Sequence, residues 1–200
     1  MFVAGGLDDR SLFGTFYDAN QKQYPPGLTA VLCDRLTRQN IFEALFNRAC
    51  YATTGERIVL GLTLAGHLMG SELSTLQKPG LHIIRHLSAY VAGTAPLKKV
   101  ELIRNGVVLK TFHSSSNSID FDYDDMEDLE KICLKTSKVP FVFYYLRVIQ
   151  ANGHMAWSSP IWVDCHPKPP KKVAVRPKDA VKKSLPASLL DDDEDEEEDF

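Results

Sequence analysis

The sequence has little cysteine: four residues, at positions 33, 50, 133 and 165, with no Cys-x-x-Cys pair and no histidine at zinc-finger spacing. That excludes a structural zinc module and a dense disulfide framework, and it predicts free thiols in a reducing compartment. No apolar run approaches the ~20 residues that cross a bilayer as a helix. The opening Met1-Phe2-Val3-Ala4-Gly5-Gly6 lacks the charged start and the apolar core of about 7–15 residues that mark a secretory signal. Together these absences predict a cytoplasmic chain with no membrane span. Also missing are a phosphate-cradling glycine loop, a dinucleotide fingerprint and a Gly-x-Ser-x-Gly elbow, so those routes to catalysis have no signature here.

What is present is a core-forming composition and a segregated charge. With 44% hydrophobic residues in 200, the chain can bury one sizeable core, so one main domain with appendages is expected. The net charge of −3 conceals nine acids at Asp191–Asp199 and seven Lys or Arg in residues 168–183. The basic stretch, with Lys171, Lys172, Arg176, Lys182 and Lys183, lies within ten residues of the acids, which compete with any polyanion for it. No nucleic-acid partner is expected. Residues 167–200 are too polar and proline-rich to offset their ordering entropy, and a disordered basic-then-acidic tail is predicted.

Along the rest of the chain the hydrophobic period changes. Phe2-Val3-Ala4 reads as the end of a strand, residues 12–27 as loop, and Leu28–Cys33 as a short apolar strand covered on both faces. Thr37 is placed to N-cap a helix, although Asn40 stands where a full capping box has Glu or Gln. Ile41, Phe42, Leu45, Phe46 and Ala49 then share one helical face. From Ile58 the period is two, with Ile58, Leu60, Leu62 and Leu64 alternating against Val59, Gly61 and Thr63. Extended runs follow at Leu81–Val91, Val100–Arg104, Val107–Phe112, Ile119–Tyr123, Phe141–Gln150 and Met155–Val163. Asn105-Gly106 and Asn152-Gly153 are two-residue hairpin signals. Met126, Leu129 and Ile132 or Cys133 fit one face of a short crossover helix. Seven short strands with turn chemistry between them predict an antiparallel sandwich of immunoglobulin or fibronectin type, with Trp157 and Trp162 as packing residues.

Two metal-like patterns have plainer readings. His82 and His86 sit four apart, but on a strand that spacing separates them by about 13 Å, so they are expected to face solvent without sharing an ion. Asp120-x-Asp122-x-Asp124 resembles a calcium loop at its start only. Asp125 replaces the turn glycine and Lys131 the terminal Glu, so a solvated strand face is expected.

Gly27 to Gly55 carries the most specific signal: a strand, a capped helix and a Tyr-Ala-Thr-Thr-Gly loop in succession. With Gly5-Gly6-Leu7-Asp8-Asp9-Arg10, Gly93-Thr94-Ala95-Pro96 and Met155–Val163, this stretch resembles the closing segment of a large bacterial family related to the PHP (polymerase and histidinol phosphatase) metal-dependent phosphoesterases. The resemblance covers roughly residues 3–166. It implies an α+β chain: a strand-helix remnant of a PHP-like α/β domain at 1–55, the sandwich at 56–166 and the tail at 167–200. By position, Asp8 matches a metal-binding Asp, whereas Arg10 stands where the family has a ligating His. A guanidinium has no lone pair to donate, though it can hold a phosphate or carboxylate bidentately. The family's other ligands belong upstream of Met1. The resemblance also places Arg48, Tyr51, Thr53 and Thr54 at the pocket of Asp8, whereas the residues alone read as a junction where Gly55 turns the chain and Tyr51 and Thr53 satisfy backbone groups. The expected function is therefore the C-terminal part of a PHP-type phosphoesterase, not catalytic alone and without a cofactor unless an upstream PHP segment completes a divalent-metal site. The alternative is a sandwich binding module that docks to an N-terminal PHP half or another protein chain.

Overall fold

The computed structural model describes residues 1–5 and 27–167. Within them twelve strands form two sheets, joined mainly by antiparallel pairing, with only two short helices. The larger sheet holds β1 (Leu28–Val31), β2 (Cys50–Thr53), β5 (Glu72–Ser74), β7 (Leu97–Arg104), β8 (Val107–Phe112), β10 (Phe141–Gln150), β11 (Met155–Ser158) and β12 (Ile161–Asp164). The smaller holds β4 (His67–Leu68), β3 (Val59–Leu64), β6 (Arg85–Ala92) and β9 (Ser118–Asp125), in that order.

The alternating pattern decides which side of each strand is buried. Along β10, Val142, Tyr144, Leu146 and Val148 point inward, and along β6, Leu87, Ala89 and Val91 do so. These residues meet Leu60, Leu62 and Leu64 of β3 in one apolar core shared by both sheets. Asn105 and Gly106 both have positive φ, 53° and 82°, which gives the β7–β8 hairpin the turn hand that matches strand twist. β10 and β11 close around Asn152-Gly153, with Gly153 at φ 87°.

Several expectations are corrected. Residues 1–5 form no strand; Ala4 instead gives its N–H to, and accepts from, the Thr29 hydroxyl at 2.9 and 2.8 Å. β1 is an edge strand, with β2 its only partner among the described residues, and it is not covered on both faces: Leu28 is exposed and Thr29, Ala30 and Val31 are half-buried. Tyr51-Ala52-Thr53 is not a loop but part of β2, whose other edge pairs with β11, so residues 27–55 enter the same sheet as β7, β10 and β12. The Met155–Val163 run is split into β11 and β12 at Ser159-Pro160, where proline cannot donate to a ladder. Pro79-Gly80 start a 3₁₀ turn over Pro79–His82, which buries His82 rather than facing it to solvent. Cys133 and Cys165, expected as free thiols, are joined in a disulfide across a Cα–Cα distance of 6.7 Å, while Cys33 and Cys50 are free.

α1 (Arg38–Phe46) begins where expected. Thr37 accepts from the Asn40 N–H at 3.2 Å, and its hydroxyl donates to Asn40 Oδ1 at 2.6 Å. Its apolar face is not covered as expected: Ala44 is the buried residue, and Phe42 and Phe46 point to solvent. α2 (Leu129–Ile132) is capped by Asp128 and buries Leu129, with Met126 left exposed. No helix among the described residues is long and apolar enough to cross a membrane.

Candidate functional site

Arg48 ends α1 in an unusual way. The Ala49 N–H reaches the Ala44 carbonyl at 2.8 Å and the Arg48 N–H reaches Leu45 at 3.0 Å, the double bond pattern that closes a helix through a left-handed residue. That residue is Arg48, with φ 60°, where glycine is usual. The strain is retained because the side chain is in use. Its Nε donates to the Gly70 carbonyl at 3.0 Å, its guanidinium pairs with Glu72 at 2.9 Å, and its Cζ lies 5.3 Å from the Trp162 ring centroid. Arg48 thereby ties the end of α1 to β5 and β12.

Tyr51 is buried within the shared core. Burial pushes its phenol above the usual value, a backbone hydrogen bond at Leu60 opposes that, and the neighbouring Tyr90 adds to it. Tyr51 is therefore held neutral and away from solvent. Thr53 is buried as well, and its hydroxyl accepts from the Gly55 N–H at 3.3 Å, shaping the turn out of β2.

Thr54 joins a polar clasp that no local pattern announces. Its hydroxyl accepts from the Met155 N–H at 2.9 Å and lies 3.0 Å from His154 Nδ1, while His154 Nε2 is 3.7 Å from Glu56. Glu56 accepts from the Thr94 hydroxyl at 2.8 Å, and the Gln150 side-chain carbonyl accepts from the Thr94 N–H at 2.8 Å. The members come from residues up to 101 positions apart: the β2–β11 pairing brings Thr54 to His154 and Met155, and the β7–β10 pairing brings Thr94 to Gln150. Beside it lies a hollow of about 320 Å³ lined by Thr29, Tyr51, Thr53, Glu56, Arg57 and Val59.

A separate polar group, this one buried, sits between the sheets. Arg85, on the inward phase of β6, pairs with Asp125 at 3.1 Å and donates to the Tyr144 hydroxyl at 3.1 Å and the Leu81 carbonyl at 2.9 Å. Asp125 also accepts from Tyr144 at 2.6 Å and from Arg104 at 2.9 Å. Burial alone pushes the Asp125 carboxyl up, but the Tyr144 and Arg104 hydrogen bonds and the Arg85 charge outweigh it and hold the group below the usual carboxylate range. This set is satisfied on all sides and locks β6, β7, β9 and β10 together.

On the outer face of the smaller sheet, His86 pairs with Asp124 at 2.6 Å, and Asp120, Asp122 and Asp124 are solvated as expected. Asp8 and Arg10 lie outside the described residues. As a donor set the pair does not fit a divalent metal, because only Asp8 has a lone pair to give. Among the described residues no cluster of three or more His, Cys, Asp or Glu is arranged to hold one.

Fold and site together define a β-rich, mostly antiparallel module with a strand-helix-strand built into its larger sheet. A family described as protein of unknown function (DUF3604) matches residues 9–78. An uncharacterized protein of Chlamydia pneumoniae is 60% identical over 165 residues, which span 82% of this chain and 27% of that protein. Uncharacterized proteins of Chlamydia trachomatis serovar D and Chlamydia muridarum are each 54% identical over the same length and the same shares. The chain thus spans about a quarter of the length of the curated relatives it matches. No solved structure matches.

Proposed function

We propose that this chain is a non-catalytic β module of a longer protein, the C-terminal part of a PHP-type metal-dependent phosphoesterase, with an immunoglobulin-like sandwich as its body. One observation carries the non-catalytic reading. The residues that the resemblance directs toward a pocket, Arg48, Tyr51, Thr53 and Thr54, are committed to holding the fold: Arg48 to Gly70, Glu72 and Trp162, Tyr51 to the core, Thr53 to the turn at Gly55, Thr54 to β11. A group so engaged is not available to bind or transform a substrate without loosening the sheet. The test is hydrolysis of p-nitrophenyl phosphate and bis-p-nitrophenyl phosphate by the 200-residue chain with Mn²⁺ or Zn²⁺. No turnover above buffer is expected. Robust metal-dependent turnover overturns the reading.

The second reading is a binding module that docks to other polypeptide. It is favoured by the outward aromatic face of α1, where Phe42 and Phe46 are exposed side by side and stacked on each other.

A further inference from the structure

α1 is short, and the rest of the module covers only one side of it. It has nine residues, below the about 12–15 at which an isolated helix becomes even marginal in water, so it depends on packing for its stability. Ala44 is buried and Ile41 and Leu45 are half-buried on its inner side, while Phe42 and Phe46 are 63% and 74% exposed and Leu36, just ahead of the cap, is 91% exposed. The two rings stack on each other with centroids 6.1 Å apart, one turn apart along the helix. This is the arrangement of an aromatic anchor pair, the kind of side chain that dominates interfaces once desolvated.

We infer that the Phe42–Phe46 face of α1 is the docking surface for the remaining part of the longer polypeptide to which this module belongs. The inference rests on the reading of the chain as one module of such a protein. Its support is the length of the relatives: the matched segment is 27% of each, so most of the polypeptide lies outside it. A tethered partner is present at an effective concentration in the millimolar range, far above that of a second free copy. An apolar anchor pair is therefore covered first by the chain it is tied to. A surface that covers this face needs an apolar recess for two stacked rings and polar groups at its rim for Gln39 and Glu43, which bond to each other at 2.6 Å on the same helix.

The experiment compares amide hydrogen exchange in the 200-residue chain with exchange in a chimera of the Chlamydia pneumoniae relative, whose matched 165 residues are replaced by those of this chain. Exchange across Arg38–Phe46 is expected to slow at least tenfold in the chimera. Phe42→Ser with Phe46→Ser restores fast exchange there and leaves the melting temperature of the 200-residue chain unchanged. In trans, Phe46→p-benzoylphenylalanine in the 200-residue chain crosslinks to the relative made without its matched segment. Three results overturn the inference: equal exchange in both contexts with no crosslink in trans, a dimer of the chain alone that the two Ser substitutions abolish, or protection of α1 in the chain alone that is lost on deleting residues 6–26. Metal-dependent turnover by the 200-residue chain removes the non-catalytic reading and leaves the docking result standing, so the two failures are distinguishable.

Discussion

The guanidinium of Arg48 lies over the indole of Trp162, 5.3 Å from the ring centroid, although the two residues are far apart in sequence. The contact joins the end of α1 to β12 and gives a reason for an arginine where the backbone favours glycine. Trp162, expected to pack, does so as a half-buried platform.

Arg48→Ala and Arg48→Gly separate side chain from backbone. Losing the Gly70 hydrogen bond, the exposed ion pair and the ring contact is expected to destabilise by about 2 kcal/mol in Arg48→Ala. Arg48→Gly loses the same contacts but relieves the left-handed strain, so it should be about 1 kcal/mol more stable than the alanine variant. Urea unfolding midpoints decide; equal values for the two variants contradict the strain argument.

Gly70 faces the same turn. A Cβ there would lie 2.5 Å from the Arg48 carbonyl oxygen and 2.6 Å from that of Asn47, and its φ of 92° is unfavourable for other residues. Both obstacles are backbone, so the neighbours cannot yield by a rotamer change. Gly70→Ala is expected to lower stability by more than about 1 kcal/mol, measured by thermal melting. A neutral outcome means that the α1 terminus and the β4–β5 loop do not pack as described.

Arg85 and Asp125 predict both a mutational and a pH response. Removing one member of a buried pair leaves an uncompensated charge, so Arg85→Ala should cost about 3–5 kcal/mol. The folded Asp125 carboxylate binds its proton less readily than the unfolded one. Its contribution is complete above the unfolded value of about 3.9 and is lost as pH falls through the lower folded value. Tyr144 behaves in the opposite sense: burial and the Asp125 charge raise its phenol, so stability is full below the unfolded value of about 10 and declines as pH rises beyond it. Denaturant midpoints should plateau between these limits, and Tyr144→Phe should shrink the alkaline loss, with buried Tyr51 supplying the rest. An acid limb that begins above pH ~5 would contradict the direction assigned to Asp125.

The Cys133–Cys165 disulfide closes a separation of 32 residues and pins α2 to the end of β12. Loop-closure entropy puts its contribution at about 3–4 kcal/mol. Peptide mapping without reductant should find this one link and free thiols at Cys33 and Cys50. Reduction should lower the melting temperature of the wild type and leave a Cys133→Ala, Cys165→Ala variant unmoved. Finding all four thiols free in native protein would sink the pairing.

Much of the sheet architecture was legible because burial on one face writes itself into alternate residues. Ile58 to Leu64 and Phe141 to Gln150 show this, and Asn105-Gly106 marks its hairpin through the positive φ that few other residues tolerate. The buried ion pair had a readable trace as well: Arg85 falls in phase with Leu87, Ala89 and Val91, and Asp125 in phase with Ile119, Phe121 and Tyr123. A charge on the apolar phase of two strands calls for a partner across the sheet. β2 was not legible, since four residues buried on every side carry no alternation. The clasp of Thr54, Glu56, Thr94 and His154 left no trace either, because its spacing is set by strand register.

The sequence by itself determined the local events: the Thr37 cap, the hairpin turns, the strand phases and the segregation of charge at residues 168–199. These depend on conformational preferences and side-chain periodicities that act within a few residues. Tertiary structure alone decided that β2 and β11 fuse residues 27–55 into the larger sheet, that Cys133 meets Cys165, and that Phe42 and Phe46 face outward rather than into the core. Each of these turns on which long-range pairing wins, and a broad apolar helix face does not say which part of it the sheet will cover.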